Sequence, residues 1–270
     1  MKMRSKVTRT LHALPTLLRV GVAETVAYRA EFLVWILTTT QPLIMMGLWT
    51  RVAADGEFNG FTSDRVVAYY LADLIVRQLT GNWVAWQMME DVRMGVMSAR
   101  LLRPIHPFFA YAANHVAAIP FRSAIALPIA FVLLLSSGRS AIVDDPVQLA
   151  ALVPSLALAW LMTFVVLFTI GALAFWFTQT FAIANLWFGL YSILSGYLLP
   201  LAWLGTFGRV VSYLPFRYML SAPIEIMTEP QSGEQLARLL GGQFAWSAIL
   251  LAIAFATWRA GVKHFEAVGG

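Results

Sequence analysis

The sequence predicts an all-α integral membrane protein: a six-transmembrane-helix bundle with an N-terminal interfacial helix and re-entrant outer helices between the last two spans. Three observations carry this prediction. The chain of 270 residues is 59% hydrophobic and only 12% charged, against roughly 25% charged in soluble domains. Its apolar runs are about 20 residues long, the length a helix needs to cross a bilayer, and they do not alternate in segments of about ten as barrel strands do. Lys and Arg are shared unequally between the two sets of junctions, the asymmetry that sets topology.

Residues 1–30 form the first unit. Met1 to Arg9 carries Lys2, Arg4, Lys6 and Arg9 and imitates the basic start of a signal peptide. Pro15, Arg19 and Glu24 then interrupt the apolar stretch and no small-residue cleavage site follows, so the segment is expected to be retained. Leu11, Leu14, Leu18 and Val22 recur at helical spacing, which predicts an interfacial helix over about 5 to 30, started or kinked by Pro15.

The bundle, residues 31–264, reads as spans over about Phe32–Trp49, Val66–Met89, Phe108–Leu135, Leu149–Phe177, Phe181–Leu199 and Phe244–Ala260. Asp55–Asp64 and Ser136–Pro146 are short polar loops, too short for a large outer domain, and Thr178–Gln179 is a tight connection. Residues 200–242 are mixed. Leu201–Phe207 and Val210–Leu220 are apolar but too short to span, and Gly205, Gly208 and Pro215 break them, so they are re-entrant or interfacial. Such backbone is tolerated at membrane depth only inside protein or beside a water-filled cavity. The region is either a seal over the outer end of the bundle or a substrate gate, with Gly196, Pro200 and Pro215 at its joints. Residues 265–270 are a short tail.

Orientation follows from the basic residues. Lys2, Arg4, Lys6, Arg9, Arg19, Arg29, Arg93, Arg100, Arg103, Arg259 and Lys263 fall on one side; Arg51, Arg65, Arg139, Arg209, Arg217 and Arg238 fall on the other. The richer side is cytoplasmic. With an even number of spans both termini are there. Trp49, Trp203 and Trp246 would mark the outer interface, and Trp86, Trp176 and Trp258 the inner one.

Several chemistries are excluded. There is no cysteine, hence no disulfide, thiolate metal site or cysteine nucleophile. Lys2, Lys6 and Lys263 sit in no Gly-rich loop, so the chain has no phosphate-cradling motif of its own. His12, His106, His115 and His264 are scattered, without metal-ligand spacing. Ser195 lacks the glycine that would precede a nucleophile in Ile193-Leu194-Ser195-Gly196 and reads as a small packing residue. No catalytic residue, metal or cofactor is expected on this chain. The net charge of +5 fits topology better than nucleic-acid binding.

Polar residues inside the spans are costly and therefore informative. Asp73 and Arg77 are four apart on the second span, and Arg122 on the third lies at a similar depth. Asp73 is expected to neutralise one arginine. The cluster is either an internal salt bridge that fixes packing or a place where leftover positive charge meets an anionic substrate group or a partner's carboxylate. Between these spans, Glu90 and Asp91 open a segment that Arg100 and Arg103 close, with Arg93 and Gly95 inside it. Acids suit a helix start and arginines a helix end. Residues 90–104 therefore predict one short amphipathic helix with Val92, Val96 and Ala99 on its apolar face. It is either an ordinary solvated loop or a docking element for a cytoplasmic partner.

The run Asp91-Val92-Arg93-x-Gly95 with Leu101-Leu102-Arg103-Pro104 resembles the cytoplasmic loop of type 2 ABC exporter permeases. Ser195-Gly196-Tyr197-Leu198-Leu199-Pro200, Leu214-Pro215-Phe216-Arg217-Tyr218 and Pro223-Ile224-Glu225 resemble that family's outer region, and Tyr28-Arg29-Ala30-Glu31-Phe32 its lead-in to the first span. Met97-Ser98-Ala99-Arg100 departs from the family's polar pattern. The resemblance implies a permease that moves an amphipathic or lipid-like substrate with two separate ABC ATPase subunits and a second permease, identical or homologous. ATP and Mg would bind the ATPases. Residues 90–104 would be the coupling helix, with Glu90, Asp91, Arg93, Gly95, Arg100 and Arg103 as its contacts. Residues 1–30 would be the connecting helix. The competing readings are an ion-coupled secondary transporter with Asp73 as proton carrier, weakened by the lack of an internal repeat, and a non-catalytic membrane assembly factor.

Overall fold

A computed structural model describes residues 15–23, 31–137, 142–177 and 180–268. Lys2, Arg4, Lys6, Arg9, Arg29, Arg139 and the Thr178–Gln179 connection, all used in the sequence reading, lie outside them, as does most of the expected interfacial helix. Its described part, α1, covers 15–23. The described secondary structure is helical apart from an isolated bridge between Phe58 and Phe61.

The helices follow in chain order. They are α2 (Glu31–Val52), α3 (Ser63–Thr80), α4 (Val84–Arg93), α5 (Val96–Leu101), α6 (Pro107–Ser137), α7 (Pro146–Ala172), α8 (Phe181–Leu194), α9 (Gly205–Val211), α10 (Pro215–Met219), α11 (Ser221–Thr228) and α12 (Gly233–Val268). Two local starts show why they begin where they do. Thr62 caps α3 by accepting from the Arg65 amide, and Asp145 caps α7 by accepting from Val147 N at 2.9 Å, with Pro146 at the first helical position. The fourth predicted span therefore starts three residues earlier than its apolar run.

Packing runs α2–α3–α6 on one side and α4–α7–α12 on the other, with α11 against α3 and α7. One buried cluster surrounds α3 with Tyr70, Leu71, Met162, Leu220 and Ile224; a second gathers Met88, Phe108, Phe164, Phe168 and Trp258. The approach of α4 to α7 is close because position 171 is glycine: a Cβ there would lie 2.8 Å from Met88 Cβ and 3.2 Å from Ala85 Cα. Phe131, Val132, Val153, Leu186, Ile193 and Ile253 point outward, a coat of apolar side chains that suits lipid and not water.

Among the described residues two helical stretches are long and apolar enough to cross a membrane, Pro146–Phe175 and Gly233–Phe265. A third is α6, if its halves Pro107–Ala124 and Ala126–Ser136, bent by 56°, count as one span. The bend has a local cause: Pro128 gives no amide to the Ala124 carbonyl and crowds it. The predicted second span, Val66–Met89, is not continuous. It is α3 and α4, separated by Gly81, Asn82 and Trp83. The fifth ends at Leu194 and, at 14 residues, is about 21 Å long.

The helix directions give the molecule two ends. At one, the loop after α2 meets the segment before α9: Trp49, Phe58, Phe61 and Trp203 form an aromatic cluster, with Trp49 and Trp203 centroids 4.8 Å apart. At the other, α5 and the ends of α7 and α12 gather, and His106 lies against Trp258 while Trp176 stacks on His264. Trp49 and Trp203 thus share an end, opposite Trp176. Trp258 does not mark an interface; it is 4% exposed and belongs to the core.

Candidate functional site

Three places concentrate the polar side chains. The first is the turn between α4 and α5. The predicted single helix over 90–104 is not formed: Glu90 and Asp91 are in the last turn of α4, Met94 ends it, and Gly95 at φ +74° redirects the chain into α5. That left-handed conformation suits glycine and explains why one stands there. The two acids therefore sit at a helix C-terminus, not an N-terminus. The apolar face also differs from expectation. Met97 is fully buried, whereas Val96 and Ala99 are exposed, because the αL turn changes the helical phase between α4 and α5.

This turn divides the six predicted contact residues into two groups. Asp91 and Arg100 point inward. Arg100 Nε lies 2.7 Å from Asp91 Oδ2, the Tyr111 hydroxyl of α6 donates to the same oxygen at 2.5 Å, and the Arg100 guanidinium lies 4.8 Å from the Tyr111 ring centroid. Glu90 and Arg93 pair across the exposed surface, where the carboxylate holds the Arg93 guanidinium above its ordinary pKa. Gly95 and Arg103 are exposed as well. Around them Met94 and Leu102 are 66% and 88% exposed. The result is an apolar tip flanked by arginines and braced from beneath by a buried triad.

The second place is the break between α3 and α4. Thr80 bonds back to the Val76 carbonyl, and Gly81 and Asn82 end the helix. This leaves the last carbonyls of α3 inside the protein. Arg122 satisfies them: its Nε donates to Gln78 O at 2.9 Å, one terminal nitrogen to Leu79 O at 3.3 Å and the other to Gly81 O. A cation on a helix C-terminus also complements the helix dipole. Arg122 is thus a cap, a role sequence reasoning missed although Thr80-Gly81-Asn82 was a legible stop signal.

Although Arg77 one turn away acts on it electrostatically, Asp73 forms no ion pair with an arginine among the described residues. It is fully buried, and neither carboxyl oxygen has a hydrogen-bond partner in the protein. Arg77, one turn on, instead lies over the Tyr197 ring at 3.9 Å. Spacing of four residues brings two Cβ atoms to one face but does not make the side chains meet, and the ring offers the guanidinium a face of its own. Arg77 and Arg122 line one cavity of about 350 Å³. Trp83, Trp86, Trp187 and Phe188 form most of its apolar wall.

The third place is the cover formed by residues 195–232. The Tyr69 hydroxyl donates to Gly196 O at 2.7 Å, Tyr70 to Leu198 O at 3.0 Å and Ser221 to Ser195 O at 2.6 Å. Gly196 has φ +92°, and a Cβ there would lie 2.6 Å from the Tyr69 hydroxyl oxygen and closer still to Ser221 Oγ. Pro200 leads into the short helix Leu201–Leu204, and Pro215 opens α10. Arg217 grips Glu225 through Nε at 3.0 Å and a terminal nitrogen at 2.6 Å, and Arg65 reaches Glu229 at 2.7 Å. Burial pushes the Glu225 carboxyl up in pKa, and Arg217 draws it back. Gln148 ties α7 to the Ile226 and Glu229 carbonyls, and Gln243 ties α12 to those of Ser155 and Tyr218. A cavity of about 630 Å³ lies within this cover, with Pro200, Arg209, Arg217 and Glu225 on its wall. Arg217, Glu225, Gln148 and Gln243 were not singled out from sequence for these roles.

All three places fall within the stretch matched in a comparison with known protein families. A family model described as "ABC-2 family transporter protein" matches residues 35–269. No curated protein and no solved structure matches the chain.

Proposed function

We propose that this chain, which belongs to the ABC-2 family of transporter proteins, is the permease subunit of an ATP-driven exporter for an amphipathic or lipid-like substrate. Membership supports a multi-pass membrane transport subunit and implies partnership with ABC ATPase subunits. Beyond that, our reading has six spans, both termini in the cytoplasm of a bacterial cell, two ATPases, and a second permease beside this one. ATP and Mg bind the ATPases, and hydrolysis happens there.

The α4–α5 tip is the observation that carries this reading. Met94, Val96 and Leu102 stand exposed between Arg93 and Arg103. Exposed apolar anchors beside arginine are the composition of a protein interface, not of a solvated loop. The buried Asp91–Arg100–Tyr111 triad beneath them fixes the tip against α6, so a push on it reaches the bundle. In our reading Glu90, Arg93, Gly95 and Arg103 face the ATPase, and Asp91 and Arg100 hold that face in shape.

Co-purification with the cognate ABC ATPase tests the assignment. Arg93→Glu combined with Arg103→Glu is expected to abolish pull-down of the ATPase while leaving membrane insertion intact; unchanged pull-down would reject the docking role. Because the chain has no cysteine, single cysteines report topology cleanly. Glu57→Cys is expected to react with an impermeant thiol reagent from outside and Ser98→Cys only after the membrane is opened. The reverse pattern would overturn the orientation.

A further inference from the structure

The cavity at the α3–α4 break has a sign. Two arginines, Arg77 and Arg122, line it and no acid does. Arg122 gives its donors to the α3 carbonyls. Among the described residues no carboxylate pairs with Arg77; its guanidinium lies over the Tyr197 ring and bonds that side chain, and buried Asp73 one turn away is the charge it feels. A guanidinium has five donors, and Tyr197 takes only part of them. On the wall of the same cavity Asn82, only 5% exposed, has an Oδ1 without a hydrogen-bond partner. A buried polar atom left so is rare and wants a donor. The rest of the wall is aromatic, with Trp86, Trp187 and Phe188. A volume of about 350 Å³ falls within the range of small-molecule sites, and a broken helix at membrane depth is where membrane transporters place ligands.

We propose that this cavity binds an amphiphile with an anionic headgroup, the anion on Arg77, a hydroxyl or amide donor of the same headgroup on Asn82 Oδ1, and the tail along Trp86, Trp187 and Phe188. The proposal deepens the permease reading by giving its substrate a charge, and it rests on that reading only for the step from binding to transport. The other cavity does not share this character: Arg217 there is matched by Glu225. Nor does the cavity wall carry a carboxylate that would attract a cation.

The test uses tryptophan fluorescence of the purified full-length chain in uncharged detergent. The probes are a bromine-labelled fatty acid and a bromine-labelled alkyl-trimethylammonium of equal chain length. Quenching by the fatty acid is expected to saturate, and to shrink in Trp187→Phe. Arg77→Gln is expected to weaken the fatty acid's affinity by about tenfold or more, and Arg77→Lys to restore much of it, since loss of a charge-assisted bond has that scale. Equal affinity of wild type for the two probes would overturn the proposal, and that comparison needs no variant to fold. So would unchanged affinity in a folded Arg77→Gln protein. ATPase pull-down of the same preparations separates the two readings: failed pull-down with selective binding sinks the permease assignment and spares the site, and the converse sinks the site alone.

Discussion

Removing the Asp91 carboxylate should damage the fold, whereas reversing the charge of Arg93, two residues away, should damage only recognition. Asp91 holds Arg100 at 2.7 Å and accepts from Tyr111 at 2.5 Å, and the side chains of the ion pair are 12% and 20% exposed. Deleting one member of a buried pair costs about 3–5 kcal/mol, because the other charge is left behind. Arg100 retains some access to solvent, which lowers this to roughly 2–3 kcal/mol, and the stranded Tyr111 hydroxyl adds about 1 kcal/mol. Asp91→Ala should therefore cost about 3–4 kcal/mol, a fall in the thermal midpoint on the order of 10 °C for a chain of this size. The assay is thermal unfolding of purified protein in detergent, for Asp91→Ala, Tyr111→Phe and the double variant. The two losses should be less than additive, since both remove the same contact. An Asp91→Ala midpoint within about a degree of wild type, with ATPase pull-down lost, would refute the reasoning: Asp91 would then be facing a partner and not Tyr111.

Gly196→Ala combines a left-handed backbone with a Cβ pressed on Tyr69 and Ser221, and should cost about 2–4 kcal/mol; an unchanged thermal midpoint would show that the cover is not seated this way. Arg122→Met should leave the α3 C-terminal carbonyls uncapped, read as faster amide hydrogen exchange in Thr80–Val84 by mass spectrometry. Equal exchange would remove the capping role. Asp73→Asn deletes a carboxylate that has no hydrogen-bond partner in the protein, so it should hold or raise the midpoint; a fall of several degrees would restore the salt bridge expected from sequence.

The sequence made most helices legible because apolar runs and their stop residues leave a strong local trace. Asp145-Pro146 and Pro128 are examples: a cap and a missing amide act on neighbours a few residues away. The elbow at Gly95 was harder. Its acids and arginines fit a helix of their own, and only the positive φ of Gly95 reveals that the acids close one helix and the arginines belong to the next. The break at Gly81–Trp83 was passed over because Val84, Ala85, Met88 and Met89 continue the hydrophobic run after it. What no local pattern carries is pairing across the chain. Arg122 meets residues 78–81, Glu225 meets Arg217, and Tyr69 meets Gly196 only once the bundle is assembled, so these partners were visible as expensive residues without addresses. The Asp73–Arg77 pair failed for the opposite reason: the spacing was right, but Tyr197, more than a hundred residues away, competes for the guanidinium.

The interruption at Gly81–Trp83 has a mechanical consequence. A single unbroken helix from the Met94 tip to Ser63 would move as one rod, and any displacement at its foot would reappear unchanged at its head. Here the lower half packs on α7 at Gly171, while the upper half packs chiefly on α6 and α2 and also touches α11 and α7. With α2 and α6 packed chiefly on the head, a displacement of the foot would be taken up as a change of angle at the joint. That joint forms one wall of the cavity bearing Arg77, so a change of angle between α3 and α4 would change the shape of that chamber.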